Sequence, residues 1–374
     1  MINEWKDSDS PFCFVAACRE LASAWKSSSD KFDTHLPIGF DGSNNGLQHL
    51  AMIARDPETA YWVNIGPKPD ALHEPKLLGF NRQPRCEWPR APIWPTEPQD
   101  IYKRIIAATR ELLAADGDDK FAAWWVGRLK LMKDREIRKL LKTPALSYNY
   151  GVSASGMAKQ IAKVYRDDLK QFEGLEPRDD HGVYLGLKII QACERELKVP
   201  TAIMHYIRAV AAHCLEYGWA VECPSPTGFP FINRKDKPNI KQVRLLGSGG
   251  SVTHEVGDGW KDEIAYGDTL DAIVANFIHS LDASHLIRSI NSAVRAGITN
   301  TLTVHDCYYN LAPQVVGFGQ ILRDEMAMMY TGYDPLRRLR DLNISDPQNL
   351  DLLPLPPYGK YDPSSVRSAD FAFA

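Results

Sequence analysis

Two aspartates stand at the ends of short apolar segments, where a carboxylate can reach a bound cation. Asp41 follows the segment LPIGF and precedes Gly42, and Asp306 follows TLTVH. Mg²⁺ prefers hard oxygen ligands and is held by one or two carboxylates, with waters and substrate phosphates in the other positions. An aspartate at a strand end is more often a turn or cap residue, so neither position alone predicts a metal site.

A second group of residues with chemical potential is cationic. Arg138 and Lys142 are four residues apart in the segment DREIRKLLKTPALSYNYG, and Tyr150 with Gly151 follows two turns later. Residues four apart lie on the same face of a helix. Two cations on one face can neutralise a triphosphate. The alternative is a solvated basic face, balanced by the acidic residues that open the helix.

Helices are the main elements that would position these residues. Apolar residues at helical spacing, with Ser10 and Pro11 as start signals for the first helix, support this assignment. The longest pattern contains His279, where we expect a break. The predicted helices cover residues 11–26, 46–56, 100–116, 131–147, 183–197, 200–217 and 268–297.

Few strands are predicted, and two of them carry the aspartates. Residues 36–43 predict a buried strand that ends at Asp41, and residues 299–313 alternate like a hairpin with His305 and Asp306 at its tip. Pro and Gly at 224–230 mark a turn. Because helices dominate, the pattern predicts a helix-rich α+β fold.

Length and composition limit the class of protein. At 374 residues, the chain exceeds the size at which single cores stop growing, which predicts two or more subdomains. Hydrophobic residues make up 44% and charged residues 24%, as in globular proteins rather than disordered or collagenous ones. No long uncharged apolar run is present, and charges interrupt the first 20 residues. We therefore expect an intracellular chain with no membrane partner.

Charge and cysteine content exclude two further classes. The net charge of −3 argues against a protein that coats nucleic acid with a basic surface, so any nucleic-acid contact must use local clusters. The seven cysteines are scattered without a CxxC pair. This pattern predicts neither a disulfide framework nor a zinc site.

A proline-rich stretch covers residues 67–98, with basic and aromatic residues between the prolines. Dense prolines exclude a helix or a central strand and predict an irregular surface segment. Such a segment can hold single-stranded nucleic acid, or it can be a stiff insertion that packs its own aromatic side chains. The sequence leaves both interpretations open.

Taken together, the candidate motifs resemble a known family. FDGSNNGLQH around Asp41, the pattern from Arg138 through Lys142 to Tyr150, and TVHDCYY around Asp306 look like motifs A, B and C of the single-subunit, phage-type RNA polymerases, which include the mitochondrial enzyme. Further segments are similar to family segments and follow the family order. They are PFCFVAACRE, VNIGP followed by PQDIY, PTGFP, NFIHSLDASHL and the terminal DFAFA.

The resemblance implies a DNA-directed RNA polymerase with a right-hand palm and fingers. It divides the chain into a first palm part (1–57), fingers (58–279) and a second palm part with a C-terminal foot (280–374). Only 40 residues precede Asp41, so we expect neither a thumb nor an N-terminal promoter-binding domain. A non-catalytic nucleic-acid-binding remnant and one half of a split polymerase are the alternatives.

The same resemblance implies partners and a compartment. The partners would be a DNA template, an RNA product and ribonucleoside triphosphates, and a separate N-terminal polymerase half if the enzyme is split. The compartment would be the cytoplasm of a bacterial host for a phage enzyme, with an organelle as the alternative.

Catalytic roles follow from the matched motifs. Asp41 and Asp306 would hold two Mg²⁺ ions together with the backbone carbonyl of Gly42, for a two-metal transfer of the nucleotide to the RNA 3′-hydroxyl. Lys142 would contact the phosphates and protonate the leaving pyrophosphate. Arg138 would bind the β- and γ-phosphate oxygens.

Substrate-binding roles also follow from the resemblance. Tyr150 would close the pocket over the new base pair, and Tyr150 with His279 would read the ribose 2′-hydroxyl. Tyr102 matches the family tyrosine near the incoming nucleotide.

Three positions distinguish this chain from the related DNA polymerases. Where those enzymes carry a glutamate that crowds the ribose 2′ position, this chain has Gly46. Cys307 replaces a second carboxylate after His-Asp, and Leu146 replaces a phenylalanine. All three differences favour ribonucleotides.

The sequence also departs from the family pattern. Pro144, inside the motif B helix, is expected to kink or end it. Ser155 replaces an aromatic residue that helps to separate the downstream strands. Residues 243–267, where relatives carry the promoter-specificity hairpin, read as a Gly-rich and acidic loop. Such a loop is poorly suited to reading a major groove.

Overall fold

The computed structural model describes residues 5, 10–27, 31–69, 92–169, 172, 177–247, 250–344 and 351–373. The proline-rich prediction therefore lies largely outside the described residues. Among the described helices, none is both long enough and apolar enough to cross a bilayer.

Helices make up most of the described chain and carry nearly all of its core. The first four are short or amphipathic segments that lead to the long helices of the middle region. Their bounds are α1 Pro11–Lys26, α2 Asn45–Ala54, α3 Pro57–Trp62, α4 Ile101–Ala115, α5 Lys120–Leu129, α6 Asp134–Tyr148, α7 Ala154–Asp168, α8 Asp179–Glu196, α9 Lys198–Glu216, α10 Tyr266–Arg295, α11 Val315–Thr331 and α12 Pro335–Asn343.

The strands form three small antiparallel sheets, so the helix-rich α+β class is confirmed. One sheet has the order β1-β7-β6, and the others pair β2 with β3 and β4 with β5. The strand bounds are β1 Pro37–Asp41, β2 Val221–Cys223, β3 Phe231–Asn233, β4 Asp236–Gly247, β5 Gly250–Ile264, β6 Leu302–Val304 and β7 Cys307–Leu311.

The three-stranded sheet joins the two ends of the chain. β6 and β7 form the predicted hairpin, and His305 takes a left-handed backbone conformation (φ 53°) in the turn between them. β1 adds to β7 with Asp41 opposite Cys307. The expected burial of β1 is wrong, since only Phe40 is partly covered. The reason is that β1 is an edge strand, held on one side by Phe40 against Phe318 of α11.

Buried helices support this sheet. All ten residues of α2, the helix that follows Asp41, are buried, and α2 packs against α9 and α10. The expected break of α10 near His279 is wrong, because the helix runs unbroken for 30 residues. From Asp268 onward the helix contains neither Pro nor Gly, and the hydroxyls of Ser280 and Ser284 bond carbonyls of their own helix at 2.7 and 2.8 Å.

The cationic helix α6 contains Pro144 and continues past it. It extends four residues further to Tyr148, so of the two expected effects of Pro144, a kink or a helix end, the helix end is wrong. A proline inside a helix removes a backbone hydrogen bond at a cost of about 3 kcal/mol. Burial on both sides of the proline offsets that cost, because Leu141 and Ala145 lie in the core and the Tyr148 hydroxyl bonds Thr201 at 2.8 Å.

The described residues of 243–264 form much of a largely exposed antiparallel hairpin rather than a loop, and α10 begins at Tyr266. β4 and β5 pair along almost their whole length, with irregular register near Pro238. Arg234, Lys237 and Lys241 form ion pairs with acidic residues of β5. The acidic residues therefore stabilise the hairpin, and the charges partly cancel along it.

Candidate active site

The two predicted aspartates meet at one end of the three-stranded sheet. Asp41 is the last residue of β1, Asp306 lies in the turn before β7, and Cys307 is the first residue of β7. Because Asp41 and Cys307 are opposite each other in the β1–β7 pair, antiparallel pairing itself brings the side chains together. The ligand atoms of the three residues all lie within 4.8 Å of one another.

The electrostatics of this cluster favour a hard cation. In the described chain, neither aspartate forms an ion pair with a lysine or arginine. Burial and the neighbouring charge of Asp41 raise the pKa of Asp306. Burial and the nearby Asp41 raise the pKa of the Cys307 thiol to about 11, so the thiol stays protonated at neutral pH. Two carboxylates with unbalanced charge fit Mg²⁺, whereas a protonated thiol does not.

The C-terminal segment fixes the backbone after Asp41. Gly42 forms an isolated antiparallel bridge with Phe373. The Ser43 N–H donates to the Ala372 carbonyl at 3.2 Å, and the buried amide of Gln48 donates to the same carbonyl at 2.9 Å. The terminal segment thereby limits the movement of Asp41 and of the Gly42 carbonyl.

Tyr150 and His279 lie beside the carboxylates. Their rings are 4.9 Å apart between centroids. Burial, with the nearby Asp306 and Asp282 charges, raises the pKa of Tyr150 to about 12. Partial burial and His305 lower the pKa of His279, which keeps its ring neutral at pH 7. The structure thus brings both predicted ribose-reading residues to the metal candidates.

Gly46 is required by the position of Tyr150. The Tyr150 hydroxyl lies against the backbone of Gly46, which acts to lower the Tyr150 pKa against the effect of burial. A Cβ atom on residue 46 would lie 2.8 Å from that hydroxyl, closer than side chains tolerate. Glycine at the position of the DNA-polymerase glutamate therefore leaves space that Tyr150 occupies.

Arg138 and Lys142 are held differently from the carboxylates. Arg138 Nη2 donates to Asp100 Oδ2 at 2.6 Å, and the other oxygen of Asp100 accepts the Tyr102 N–H at the start of α4. The exposed Lys142 places its Nζ 5.5 Å from the centre of the Tyr102 ring. Tyr102 is almost completely buried, and its hydroxyl has no hydrogen-bond partner in the described structure.

Electrostatic contacts link the cationic helix to the carboxylates. Burial raises the pKa of Tyr102, and the nearby Tyr150, Asp100 and Arg138 also influence it. The charge of Asp306 in turn helps to raise the pKa of Tyr150. The predicted residues of α4, α6, α10 and the β6–β7 turn therefore lie close enough to influence one another electrostatically, so cations and carboxylates share one region of the structure.

Two residues of this site were missed by the sequence reasoning. Asp282 accepts a hydrogen bond from Asn45 Nδ2 at 2.7 Å, and burial raises its pKa to about 6. Asp100 was treated only as the start of a helix. The segment NFIHSLDASHL was recognised as a family segment and could have drawn attention to Asp282, whereas the pairing of Asp100 with Arg138 had no sequence signal.

Comparisons with known proteins place the chain among polymerases. The family model described as DNA-dependent RNA polymerase matches residues 2–345. The mitochondrial DNA-directed RNA polymerase of Mus musculus is 26% identical over 334 residues, which cover 87% of this chain and 24% of the relative. The mitochondrial polymerase 1 of Arabidopsis thaliana is 26% identical and covers 99% of this chain and 34% of the relative.

The mitochondrial polymerase of Homo sapiens gives a similar result. It is 26% identical over 392 residues, which cover 99% of this chain and 28% of the relative. The chain therefore spans about a quarter to a third of the length of these relatives.

Proposed function

This chain belongs to the DNA-dependent RNA polymerase family, and we propose that it carries the catalytic region of a single-subunit enzyme. The reaction is template-dependent transfer of a ribonucleotide from an NTP to an RNA 3′-end, with release of pyrophosphate. The observation that carries the proposal is the meeting of two unpaired carboxylates, Asp41 and Asp306, beside the Tyr150–His279 pair.

Asp41, Asp306 and the Gly42 carbonyl are the proposed ligands of two Mg²⁺ ions. The bound ions supply a lowered pKa for the 3′-hydroxyl and neutralise charge on the reacting phosphate. The paired strands β1 and β7 and the C-terminal bridge hold these ligands in place before substrate binds. Fixed ligands matter because positioning and electrostatic stabilisation carry most of the catalysis of phosphoryl transfer.

The α6 residues bind the triphosphate in this proposal. Arg138 offers guanidinium donors in a planar fork that suits phosphate oxygens. Lys142, which is exposed on the same helix face, contacts the phosphates and donates a proton to the leaving pyrophosphate. The buried ring of Tyr102 lies beside the Lys142 ammonium group and helps to position it.

Tyr150 and His279 select ribonucleotides. In this proposal the Tyr150 hydroxyl, which lies against Gly46, and the His279 ring bond the ribose 2′-hydroxyl. A deoxyribose offers no hydroxyl to this pair. The selection therefore depends on hydrogen bonding, not on a bulky residue at position 46.

Palm and fingers follow from the same proposal. The first palm part (1–57) and the second (280–374) meet in the β1-β7-β6 sheet, and the fingers (58–279) carry α4 and α6. The proposed boundary at 279 lies within the continuous helix α10. The names of the relatives favour an organelle over a bacterial cytoplasm as the compartment.

Extension of a preassembled RNA–DNA scaffold with labelled ribonucleotides and Mg²⁺ tests the function. We expect wild-type extension, and a loss of about 10³-fold or more in Asp306→Asn, because metal coordination supplies several kcal/mol. Scaffold binding, measured by fluorescence anisotropy, should be retained. Asp118→Asn, the same change at an exposed turn, is the matched control and should extend normally.

The outcomes separate the enzyme from its alternatives. Wild-type incorporation by Asp306→Asn would contradict the metal assignment. Scaffold binding without any extension by the wild-type chain would favour the non-catalytic remnant. Extension that begins only when the remaining part of a relative is added as a second polypeptide would favour a split enzyme.

A further inference from the structure

A cavity beside His279 has no role in the catalytic proposal. Its volume is about 390 Å³, within the range of small-ligand clefts. Hydroxyls of Ser225, Thr227 and Ser284 and the rings of Phe229 and Phe231 line it, together with one face of α10. His279 also lines the cavity and contacts Tyr150 with its ring. The cavity therefore adjoins the proposed nucleotide site at His279.

The cavity suits an uncharged part of a nucleic acid. No lysine, arginine, aspartate or glutamate lines it in the described chain. Phosphate contacts usually require such cations or backbone amides, whereas sugars are contacted by serine, threonine and asparagine side chains. A ribose, with one carbon face and hydroxyls on its edge, matches a wall of phenylalanine rings beside a hydroxyl cluster.

The PTGFP loop presents this wall rigidly. The Gly228 N–H donates to the Ser225 carbonyl at 2.9 Å, and Gly228 has a φ of 79° that favours glycine. Phe229, between Gly228 and Pro230, is left 68% exposed at the cavity edge. The Ser225 hydroxyl lies 3.1 Å from that of Ser284, which ties the loop to α10.

Hydrogen-bond directions in the hydroxyl cluster can be assigned because each hydroxyl has one proton. Ser284 donates its proton to the Ser280 carbonyl at 2.8 Å. Ser225 must therefore be the donor to Ser284. Thr227 must then be the donor in its 2.8 Å bond to Ser225.

These hydrogen bonds leave the Thr227 hydroxyl oxygen able to accept a further bond. Ser225 already accepts bonds from the backbone N–H and the hydroxyl of Thr227. Thr227, which lines the cavity, has used its proton and retains acceptor lone pairs. A donor on a ligand can bond this oxygen, and the ribose 2′-hydroxyl is such a donor.

We propose that this cavity holds the ribose at the 3′ end of the transcript, with the Thr227 hydroxyl oxygen accepting a hydrogen bond from its 2′-hydroxyl. The proposal rests on the proposed function. His279 separates the incoming nucleotide, on the Tyr150 side, from the nucleotide already incorporated, on the cavity side. The chain thereby checks for ribose at two consecutive positions, before and after incorporation.

The test is binding of RNA–DNA scaffolds whose transcript ends in uridine or 2′-deoxyuridine. A uridine end avoids the guanine amino group, which is another donor in the minor groove. We expect the wild-type chain to bind the ribose-ended scaffold about two- to tenfold more tightly, the worth of one net hydrogen bond. Thr227→Val should lose this preference, and Thr227→Ser, which keeps the hydroxyl, should retain it.

Two controls isolate the contact. Thr331→Val, at the end of α11 and outside the cavity, should behave as wild type. A 2′-deoxy substitution placed four nucleotides upstream should show no coupling to Thr227. Thermal melting of each variant excludes misfolding as the cause.

Each outcome has one meaning. A ribose preference that persists in Thr227→Val, an absent preference in the wild type, or coupling only at the upstream position would overturn the subsite and leave the proposed function standing. Failure of the wild-type chain to bind either scaffold would instead contradict the proposed function itself.

Discussion

The two charged halves of the site are held in opposite ways. Asp41 and Asp306 lie close together at the sheet end without an ion pair in the described structure. Arg138, in contrast, is already bonded to Asp100, and Lys142 lies near the ring of Tyr102. The acidic half therefore holds unrelieved repulsion, while the cationic half is partly neutralised before substrate arrives.

This difference indicates what each half requires from its ligand. Repulsion between carboxylates is relieved by binding a cation, so the acidic half gains stability when metal binds. In our proposal the cationic half must exchange one anionic partner for another, because the triphosphate would compete with Asp100 for Arg138. Substitutions in the two halves should therefore have effects that differ in kind as well as in size.

Lys142→Ala should give the largest effect among the four variants that follow. Lys142 is exposed on α6 and, in our proposal, stabilises charge that develops on the leaving pyrophosphate. Removing one such donor costs about 10²–10³-fold in rate. Single-turnover incorporation on the preassembled scaffold measures it. Lys139→Ala, which removes a lysine paired with Asp168 at 2.7 Å on the same helix, is the control. An equal loss in both variants would exclude a special role for Lys142.

Asp282→Asn tests the destabilisation that a buried carboxylate beside the acidic half produces. Burial raises the pKa of Asp282 from 3.8 to about 6, so folding favours its protonated form. The wild-type chain should lose stability as the pH rises from about 4 to about 6. At pH 7, without divalent ions, Asn should be more stable than Asp by up to about 3 kcal/mol, since one pKa unit corresponds to about 1.4 kcal/mol.

Denaturant unfolding at pH 7 and pH 3.5 in a chelating buffer measures this difference. The Asn side chain keeps an oxygen to accept the bond from Asn45, so the geometry is preserved. The two chains should differ little at pH 3.5, where Asp282 is protonated in both states. An Asn variant that is less stable than wild type at pH 7 would contradict the destabilisation assigned to the buried charge of Asp282.

Much of this site could be predicted from the sequence because local pattern carries it. Alternation around TVHD predicted the hairpin that presents Asp306, and helical spacing predicted that Arg138 and Lys142 share a face. The resemblance added Tyr150 and His279, which the structure brings within ring contact. For the hairpin and the cationic face, the relevant geometry is set within a few residues of the chain.

The errors arose where packing between distant segments decides the outcome. Pro144 signals a helix end locally, yet the buried residues around it keep α6 helical. The sequence predicts β1 as a buried strand. In the described structure it lies at the edge of its sheet, and only Phe40 is partly covered. Asp100 and Arg138 are 38 residues apart, and nothing in either segment indicates that they pair.

Tyr150→Phe should have a smaller effect, confined to sugar selection. The variant loses the hydroxyl that lies against Gly46 and keeps the ring against His279. We expect the ratio of rNTP to dNTP incorporation to fall about tenfold, the worth of one hydrogen bond. Tyr148→Phe is the control. It removes a hydroxyl two residues earlier in the chain, which bonds Thr201 of α9, and it should leave the ratio unchanged. A ratio that falls equally in both variants would remove Tyr150 from the selecting role.

Asp100→Asn should have the smallest effect. It tests whether Asp100 competes with the triphosphate for Arg138 or orients Arg138 toward it. Asn retains an oxygen to accept the Tyr102 N–H at 3.0 Å, so α4 keeps its N-cap. Its amide group replaces the oxygen that Arg138 bonds and cannot accept that bond. Arg138 is thereby released without loss of the helix start. Asp119→Asn makes the same change at the N-cap of α5 and serves as the control.

If Asp100 competes with the triphosphate, releasing Arg138 should tighten NTP binding. The side chains of the pair are 39% and 18% exposed, and partly exposed ion pairs contribute about 0.2–1 kcal/mol. We therefore expect Kd for MgATP, measured by calorimetry, to fall by about two- to fivefold at most. Added salt should reduce the difference. Weaker binding in Asp100→Asn would mean that Asp100 orients Arg138 toward the phosphates, and the cationic half would then be preorganised in the same sense as the acidic half.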